Sequence, residues 1–180
     1  MGLQRVVRRV ADLVAQGRPD GVRVGIDGVD GSGKTTLGDA LEVELARRGH
    51  DVTRVRADNF LNPPEVRYRL GRHSPQGFFR DSYDLDSLRR TALEPTRGAL
   101  VLDGLFLHRA ELADLWHLSV FLDVPFAETF RRMAVRDGCD PDPEHPANAR
   151  YVGGQRLYLA ACDPRSQADV VLTLSELQGR

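Results

Sequence analysis

One lysine stands in a glycine-rich segment of a chain that otherwise uses arginine as its basic side chain. The segment is GVDGSGKTT, residues 28–36, and Lys34 is the only lysine in the sequence. It follows the pattern G-x-x-x-x-G-K-[ST], in which backbone N–H groups surround phosphate oxygens. A compact ammonium fits inside such a loop, whereas the planar guanidinium of arginine is bulkier. The segment therefore predicts a phosphate-binding loop, with Lys34 on the β- and γ-phosphates and Thr35 on Mg²⁺.

The elements that flank this segment suit a phosphate-binding loop. VRVGID, residues 22–27, is a short β-branched run that predicts a strand directly before it. TTLGDALEVELARRG, residues 35–49, has leucines along one side and ends in a glycine, which predicts a helix directly after it. The positive end of that helix favours an anion. The residues predicted to bind the nucleotide are Gly28, Asp30, Gly31, Ser32, Gly33, Lys34, Thr35 and Thr36.

Two aspartates follow later strands, at the edge where open α/β sheets bind ligands. Asp58 lies just past the second strand, and a carboxylate there can orient an acceptor hydroxyl and take its proton during phosphoryl transfer. Asp103 ends the apolar stretch ALVLD and can hold the metal, as a Walker B carboxylate does. The alternative for both residues is a cap or turn role, which is common for Asp in such places.

A cluster of arginines is predicted on a helix that leads into a Pro-rich loop. Its members are Arg131, Arg132 and Arg136. The last two are four residues apart, so they share a face of the helix. On a mobile lid, these side chains can close over the transferred phosphate and neutralise developing charge. The alternative is a solvated helix face on which they pair with Glu128 and Asp137.

The forty residues after the second predicted strand are rich in Pro, Gly, Arg and aromatic residues and have little clean periodicity. A connection of that length predicts a functional insertion, at about residues 59–90. Its aromatic side chains can stack on a base or form a small core, and both alternatives stay open. They are Phe60, Tyr68, Phe78, Phe79 and Tyr83.

The remaining elements alternate between strands and helices. The predicted strands are 22–27, 51–57, 99–107, 118–124 and 168–174. The predicted helices are 3–16, 35–49, 125–137 and, in part, 150–162, while 139–149 is predicted as a loop. Gly153 and Gly154 are unfavourable for the last helix. Because several strands are apolar throughout, the pattern predicts an α/β sandwich with a mainly parallel sheet.

The composition is that of a single soluble domain. The 180 residues are 41% hydrophobic and 28% charged, with a net charge of −1, which argues against broad electrostatic binding of nucleic acid. No apolar run approaches the roughly 18 residues that span a bilayer, and the N-terminus lacks the apolar core of a signal peptide. Cys139 and Cys162 are too few for a disulfide framework or a zinc site. We therefore expect residues 1–180 to form one domain. We also expect the protein to be cytoplasmic and to have no nucleic-acid or membrane partner.

The order of these segments resembles the uridine kinase group of P-loop kinases, whose relatives include phosphoribulokinase and bacterial pantothenate kinase. The resemblance covers nearly the whole chain after residue 20. It rests on GIDGVDGSGKTTL, RADNF, GRHSPQGFFRDSYD, LVLDGLFL, FRRMAVRD and a final DP with ADVVL. One difference is Asp103, because the family usually has Glu at that strand.

The resemblance implies a five-stranded parallel sheet of order 2-3-1-4-5, with a lid at about residues 131–150 that carries the arginine cluster. It implies ATP·Mg²⁺ as phosphoryl donor and a small hydroxyl compound as acceptor, activated by Asp58. Asp81, Tyr83 and Asp84 fall near the segment that binds the acceptor in the family. The candidate acceptor-binding residues are Asp58, Phe60, Asp81 and Tyr83.

We therefore expect a small-molecule kinase that transfers the γ-phosphoryl group of ATP to a nucleoside such as uridine or cytidine. Lys34, Asp58 and the arginine cluster are its predicted catalytic residues, and Thr35 and Asp103 its predicted Mg²⁺ ligands. The single lysine argues against a GTPase switch, because the guanine-reading element Asn/Thr-Lys-x-Asp needs a second one. Two alternatives stay open: a kinase of a pantothenate-like or sugar-like acceptor, and a regulator that binds ATP without transferring phosphate.

Overall fold

A computed structural model describes residues 2–17, 21–94 and 97–179, and its strands form a five-stranded sheet. Every neighbouring pair of strands is parallel, in the order β2-β3-β1-β4-β5. The strands are β1 (Val22–Gly28), β2 (Val52–Arg56), β3 (Ala99–Asp103), β4 (Leu118–Asp123) and β5 (Val170–Thr173). The α/β class and the strand order expected from the sequence are confirmed.

Helices pack on both faces of this sheet. They are α1 (Gly2–Ala15), α2 (Lys34–Arg47), α3 (Pro64–Arg67), α4 (Pro75–Asp81), α5 (Leu85–Leu93), α6 (Phe126–Asp137), α7 (Ala149–Cys162), α8 (Pro164–Gln167) and α9 (Leu174–Gln178). Short 3-10 helices lie at Ala57–Phe60, Ala113–Leu115 and Pro146–Asn148. The helices predicted over residues 3–16, 35–49 and 125–137 are confirmed to within two residues at each end. Within the described ranges, we find no helix that combines the length and the apolar character needed to cross a bilayer.

The sheet is buried on both faces because alternate residues of β3 belong to two separate cores. Val101 packs with α1 and α2 in the first core, beside Leu37 and Leu41. Leu100 and Leu102 pack in the second core, beneath the insertion and α7. Each buried side chain of this size contributes about 1.5–3 kcal/mol. All of β3 is buried, which explains its continuously apolar sequence.

The parallel register brings the carboxyl ends of three strands to one edge of the sheet. Ile26 of β1 and Arg56 of β2 both lie opposite Asp103 of β3. The phosphate-binding loop follows β1 at this edge, and Asp58 follows β2. The topology therefore places the predicted loop and both predicted aspartates on the same side of the molecule.

Two strands are shorter than their apolar sequences predicted. β3 ends at Asp103 instead of Leu107, and the chain turns so that Phe106 has a φ of 65°, a conformation rare for a bulky residue. The side chains that follow β3 are buried in the second core, so their apolar sequence reflects a buried loop. β5 begins at Val170, and Leu174 already starts the helix that follows.

The predicted insertion is largely helical, although its helices are too short to give a clear period. Ser74 caps α4 by accepting a hydrogen bond of 3.0 Å from the backbone N–H of Gly77. Asp84 caps α5 by accepting one of 3.0 Å from the N–H of Ser87. These caps are the sequence signals that define the two helices.

Helix α7 runs unbroken through Gly153 and Gly154, which were unfavourable signs in the sequence. Glycine is needed there because α4 packs directly against the helix. A β-carbon at Gly153 would lie 2.8 Å from Pro75, and one at Gly154 would lie 2.7 Å from the ring of Phe78. The helix propensity lost at each glycine, about 1 kcal/mol, is offset by this close packing. The contact fixes the insertion to the body of the domain.

Candidate functional site

A cleft of about 320 Å³ opens at the carboxyl ends of β1 and β3. It is lined by Asp30, Gly31, Gly33, Lys34, Thr35, Thr36, Asp58, Asp103, Gly104, Leu105, Arg132, Met133 and Arg136. The structure thus brings together most of the predicted loop residues, both predicted aspartates and two of the three arginines. Gly28 and Ser32 belong to the same loop but are buried.

The loop backbone adopts a conformation that requires glycine at two of the lining positions. Gly31 and Gly33 have φ values of 71° and 103°, in the region where other residues are strained. A β-carbon at Gly31 would also lie 2.8 Å from the carbonyl oxygen of Thr129 on α6. Gly33 is the N-cap of α2 and has no side chain to cover the first turn. The N–H groups of that turn therefore remain donors for an anion in the cleft.

Two further donors lie in the loop itself. Lys34 is buried, and its Nζ donates a hydrogen bond of 2.8 Å to the carbonyl oxygen of Val29. An ammonium carries three protons, so this bond positions the charge without exhausting its donors. The hydroxyl of Ser32 is buried and has no hydrogen-bond partner in the described part of the chain. Both groups suit phosphate oxygens.

Thr35 and Asp103 form the part of the cleft that can hold Mg²⁺. The Thr35 hydroxyl donates to Asp103 Oδ2 at 2.7 Å. Arg54, which the sequence analysis missed, donates from Nη2 to Asp103 Oδ1 at 2.5 Å. Its Nη1 also donates to the carbonyl of Val55 at 2.6 Å, so the guanidinium is held in place. A hydroxyl and a carboxylate are oxygen donors, which Mg²⁺ prefers.

Asp58 lies in the 3-10 helix directly after β2, with its side chain exposed to the cleft. The hydroxyl of Tyr83 donates to Asp58 Oδ1 at 3.1 Å. Burial, and then the neighbouring Asp58 charge, raise the pKa of Tyr83 well above its usual value of 10.0. The phenol therefore stays protonated and continues to donate, which leaves the other oxygen of Asp58 able to accept a proton.

Asp30 contributes a second carboxylate close to Asp58. Burial raises its pKa above the usual 3.8, Lys34 opposes that shift, and the Asp58 charge adds to it. The backbone N–H of Asp30 donates to Gln155 Oε1 at 2.6 Å, which connects the loop to α7. The charge of Asp30 is thus disfavoured in the folded protein.

The three predicted lid arginines all pair with carboxylates on α6, and two of them reach the cleft. Arg131 and Arg132 pair with Glu128 at 2.9 and 2.8 Å. These hydrogen bonds, that of Arg131 first, lower the pKa of Glu128 to about 2. Arg136 pairs with Asp137 at 2.6 Å. The ion pairs of the alternative interpretation are confirmed, while Arg131 is 65% exposed and does not line the cleft.

Asp27 is a fully buried carboxylate beneath the loop that the sequence analysis did not identify. Asp27 accepts hydrogen bonds from the N–H groups of Gly28 at 2.6 Å and Leu107 at 3.1 Å. It also contacts His108 Nδ1 at 2.8 Å and the hydroxyl of Tyr158. Asp27 therefore joins the loop to the segment after β3 and to α7. The available signal was a charged residue within an apolar strand, because a buried charge needs partners.

Two acidic residues of the insertion hold its own structure instead of lining the cleft. Asp81 was predicted to bind the acceptor, but its side chain is 5% exposed and accepts hydrogen bonds from Arg69 at 3.0 and 2.7 Å. Asp84 is the N-cap of α5 described above. Asp58, in contrast, lines the cleft and accepts a hydrogen bond from Tyr83 of the insertion.

The aromatic side chains of the insertion mainly form a core. Three of them pack edge-on to Phe106, with ring centroids 5.5, 5.3 and 6.4 Å away: Phe78, Phe79 and Tyr83. Phe60 packs against the same cluster. The core alternative is therefore confirmed for these four. The Tyr68 ring instead lies within 5.4 Å of the guanidinium carbons of three arginines.

Solved structures share this fold over nearly their whole length. One, described as a possible uridine kinase from Bacillus stearothermophilus, has a TM-score of 0.75 and 22% identity and covers 96% of this chain and 100% of its own. Another, described as a proposed fructose transport system kinase from a Silicibacter species, has a TM-score of 0.74 and 21% identity, with coverages of 95% and 98%. The YGR205w protein has a TM-score of 0.58 and 14% identity, with coverages of 96% and 91%.

No protein-family model matches the sequence, and no curated protein matches it. At these identities, the likeness to solved structures shows the fold alone. That fold is the five-stranded parallel α/β sheet flanked by helices described above.

Proposed function

We propose that the protein is a small-molecule kinase that transfers the γ-phosphoryl group of ATP to a hydroxyl group, in the first instance that of a nucleoside such as uridine or cytidine. One observation carries this proposal: Lys34, the Thr35–Asp103 pair and Asp58 all line one cleft at the end of the sheet. The cleft therefore combines donors for phosphate, oxygen ligands for Mg²⁺ and a carboxylate that can accept a proton.

The donor side of the cleft would hold ATP·Mg²⁺. Loop N–H groups and Lys34 would bind the phosphates, with the positive end of α2 beneath them. Thr35 and Asp103 would bind Mg²⁺, which takes one or two protein ligands beside water and phosphate oxygens. When bound, the ion neutralises charge on the β- and γ-phosphates. Arg54 fixes the orientation of Asp103.

The transfer itself needs one proton acceptor from the protein. The acceptor oxygen attacks the γ-phosphorus while its proton passes to Oδ2 of Asp58, the oxygen that Tyr83 does not contact, and the bond from the γ-phosphorus to the bridging oxygen breaks. ADP leaves with the electron pair of that bond. Tyr83 holds the other oxygen of Asp58 at 3.1 Å, so the carboxylate is already oriented for this step.

We place a lid at about residues 131–150 and an acceptor-binding insertion at about residues 59–90, within a single domain. Arg132 and Arg136 line the cleft while paired on their own helix. Moving a guanidinium from its carboxylate to the γ-phosphoryl group would neutralise transition-state charge. We further propose that the protein works in the cytoplasm, with ATP and a small hydroxyl compound as its partners and no nucleic acid or membrane.

A second candidate is a kinase of a sugar-like acceptor. It is favoured by the likeness in fold to the structure described as a proposed fructose transport system kinase. A pantothenate-like acceptor and a nucleotide-dependent regulator without transfer are the further alternatives. The same assay separates all of them.

The test is ADP release from ATP·Mg²⁺ against a panel of nucleosides, pantothenate and simple sugars, with an acceptor-free control. The proposal expects one class to stimulate release. Asp58→Asn should then lower kcat about 10²–10⁴-fold with ATP affinity unchanged, whereas Asp86→Asn, an exposed site on α5, should leave both unchanged. Turnover that survives Asp58→Asn would exclude Asp58 as the base. ATP binding with equal background in every well would favour the regulator.

A further inference from the structure

Three cationic side chains surround one tyrosine ring in the insertion. The guanidinium carbons of Arg67, Arg72 and Arg150 lie 5.4, 5.1 and 5.0 Å from the centroid of the Tyr68 ring. Any two of them are thus within about 11 Å of each other, close to the screening length of about 8–10 Å at ordinary salt. We call Arg67, Tyr68, Arg72 and Arg150 the arginine–tyrosine cluster.

None of these three arginines forms an ion pair with a carboxylate of the described residues, although carboxylates are close in sequence. Arg69, in the middle of the same segment, pairs with Asp81 at 2.7 Å. Residues 65–81 contain four arginines and only two acidic residues. The cluster therefore has a surplus of positive charge that no carboxylate of the described residues pairs with. Like charges at this spacing repel, so an anion placed between them would bind favourably.

Arg150 holds the cluster in shape. Its side chain is buried and donates hydrogen bonds to the carbonyl oxygens of Gly71, Ser74 and Arg67 at 3.3, 3.0 and 3.1 Å. It comes from α7, so it fixes the segment 67–74 to the body of the domain. Within the described ranges, the guanidinium groups of Arg67 and Arg72 form no such hydrogen bonds to backbone carbonyls. The Nε of Arg67 is buried and has no hydrogen-bond partner among the described residues, which leaves an unused donor beside the ring.

The insertion, which carries three of the four residues of the cluster, also contacts Asp58 through Tyr83. Arg69 forms an ion pair with Asp81 across this segment. Two residues after Asp81, the hydroxyl of Tyr83 donates a hydrogen bond to Asp58. Leu61 and Tyr83 also form an antiparallel bridge, so the insertion begins and ends beside the proposed catalytic base. A ligand held by the cluster is therefore held by the same insertion that borders Asp58.

We propose that the arginine–tyrosine cluster is an anion-binding site, and that it binds a phosphate or carboxylate group carried by the acceptor. The guanidinium fork matches both groups through paired hydrogen bonds. The anion site stands on the geometry of the cluster alone. Its assignment to the acceptor rests on the proposed kinase function, and it changes the expected acceptor from a neutral nucleoside to a hydroxyl compound that carries a phosphate or carboxylate group.

Anion binding is tested first, without any catalytic readout. Inorganic phosphate and succinate are titrated calorimetrically at constant ionic strength into a Lys34→Ala protein, in which the phosphate-binding loop is impaired. Adding Arg67→Gln and Arg72→Gln should weaken binding of one probe about tenfold or more. Weaker binding of inorganic phosphate would indicate a phosphate site, and weaker binding of succinate would indicate a carboxylate site. Arg5→Gln with Arg8→Gln removes the same charge from exposed positions of α1 and should have no effect. Equal affinities in the two double variants would overturn the site.

The assignment to the acceptor is tested with phosphorylated and carboxylated nucleosides and sugars, beside their neutral counterparts. In an otherwise unaltered protein, Arg67→Gln with Arg72→Gln should raise the KM for the anionic acceptor about tenfold and leave the KM for ATP unchanged. Efficient turnover of a neutral acceptor, unaffected by these substitutions, would overturn the assignment while supporting the kinase function. Anion binding at the cluster without turnover of any acceptor would count against the kinase function alone.

Discussion

The hydroxyl of Thr35 donates a hydrogen bond of 2.7 Å to Oδ2 of Asp103 and so joins the first turn of α2 to the end of β3. Oδ1 of the same carboxylate receives Arg54. The carboxylate is therefore oriented from two sides before any ligand arrives. An oxygen donor fixed in this way costs little reorganisation when a cation binds.

Replacing Asp103 tests whether this orientation serves Mg²⁺. We expect Asp103→Asn to lower kcat of the proposed transfer about 10²-fold, because the amide keeps the shape but loses the charge. Asp103→Glu should retain turnover to within about tenfold, since it restores the carboxylate at a slightly different reach. The Mg²⁺ dependence of ADP release is the measurement. Asp103→Asn also leaves Arg54 without a charged partner, so urea unfolding must show that the variant is folded under the assay conditions. Full activity of a folded Asp103→Asn protein would contradict the metal role.

Gly38 provides the space through which Arg54 reaches Asp103. A β-carbon there would overlap the end of the Arg54 side chain. Alanine gains about 1 kcal/mol of helix propensity, and the arginine end can move, so we expect the free energy of unfolding of Gly38→Ala to change by less than about 1 kcal/mol. The Mg²⁺ concentration for half-maximal activity should nevertheless rise about 10-fold or more, because a partner of the metal ligand is displaced.

Val43→Ala is the matched control for Gly38→Ala. Val43 lies on the same helix and is 69% exposed. The substitution should change the free energy of unfolding by less than about 0.5 kcal/mol and leave the Mg²⁺ requirement unchanged. An unchanged Mg²⁺ requirement in Gly38→Ala would mean that Arg54 does not act through Asp103.

Asp30 gives a pH dependence of defined sign. Its pKa is raised by burial above 3.8, so the folded state binds this proton more tightly than the unfolded state does. The stabilisation from the protonated form is complete below about pH 3.8 and is lost as the pH rises through the raised pKa. Asp30→Asn should therefore be more stable than the wild type above that pKa, and the difference should shrink as the pH falls. Urea unfolding between pH 4 and 8 measures it.

Asp114→Asn serves as a control of opposite sign. Its hydrogen bond from Arg89 lowers the pKa of Asp114, so any stability it contributes is present at neutral pH and lost on acidification through the lowered pKa. If the stability difference between Asp30→Asn and the wild type instead grew on acidification, burial of the Asp30 charge would be contradicted.

Gly154→Ala tests the close packing of α7 on α4. In an isolated helix this change stabilises by about 1 kcal/mol. Here the new methyl group would lie 2.8 Å from the carbonyl oxygen of Pro75, and backbone cannot move aside as a flexible side chain can. We expect a net loss of about 1–3 kcal/mol in the free energy of unfolding. Ala160→Gly, at an exposed position of the same helix, should cost about 1 kcal/mol from propensity alone. A stabilised Gly154→Ala protein would show that the two helices are not in firm contact.

The sequence was sufficient for the sheet and for the position of the glycine-rich loop because both depend on local patterns. A β-branched strand, a glycine-rich loop and a leucine-lined helix follow one another around Lys34, and each element is recognisable on its own. Parallel strands then bring Asp58 and Asp103 to the same edge by topology alone. The roles of these residues remain predictions, but their proximity could be inferred without a structure.

The contacts that α7 makes with the insertion and with Asp27 could not be inferred in this way because they join residues that are distant in sequence. Arg150 binds carbonyl groups near residue 70, and Tyr158 binds Asp27. An apolar sequence also indicates burial and not conformation, which is why residues 99–107 predict one strand although β3 ends at Asp103. Acidic residues such as Asp81 are equally suited to a ligand or to a neighbouring arginine, and only the fold decides between them.

Helix α7 contacts the insertion, the glycine-rich loop and the strand that precedes that loop. Arg150 holds the insertion, Gly154 packs against α4, Gln155 accepts from the N–H of Asp30, and Tyr158 contacts Asp27. Three of these positions are four residues apart and lie along one stripe of α7. Through these contacts, a displacement of the insertion would be transmitted along α7 to the glycine-rich loop. Under the proposed kinase function, acceptor and ATP should then bind cooperatively, and each should change the affinity of the other by the same factor.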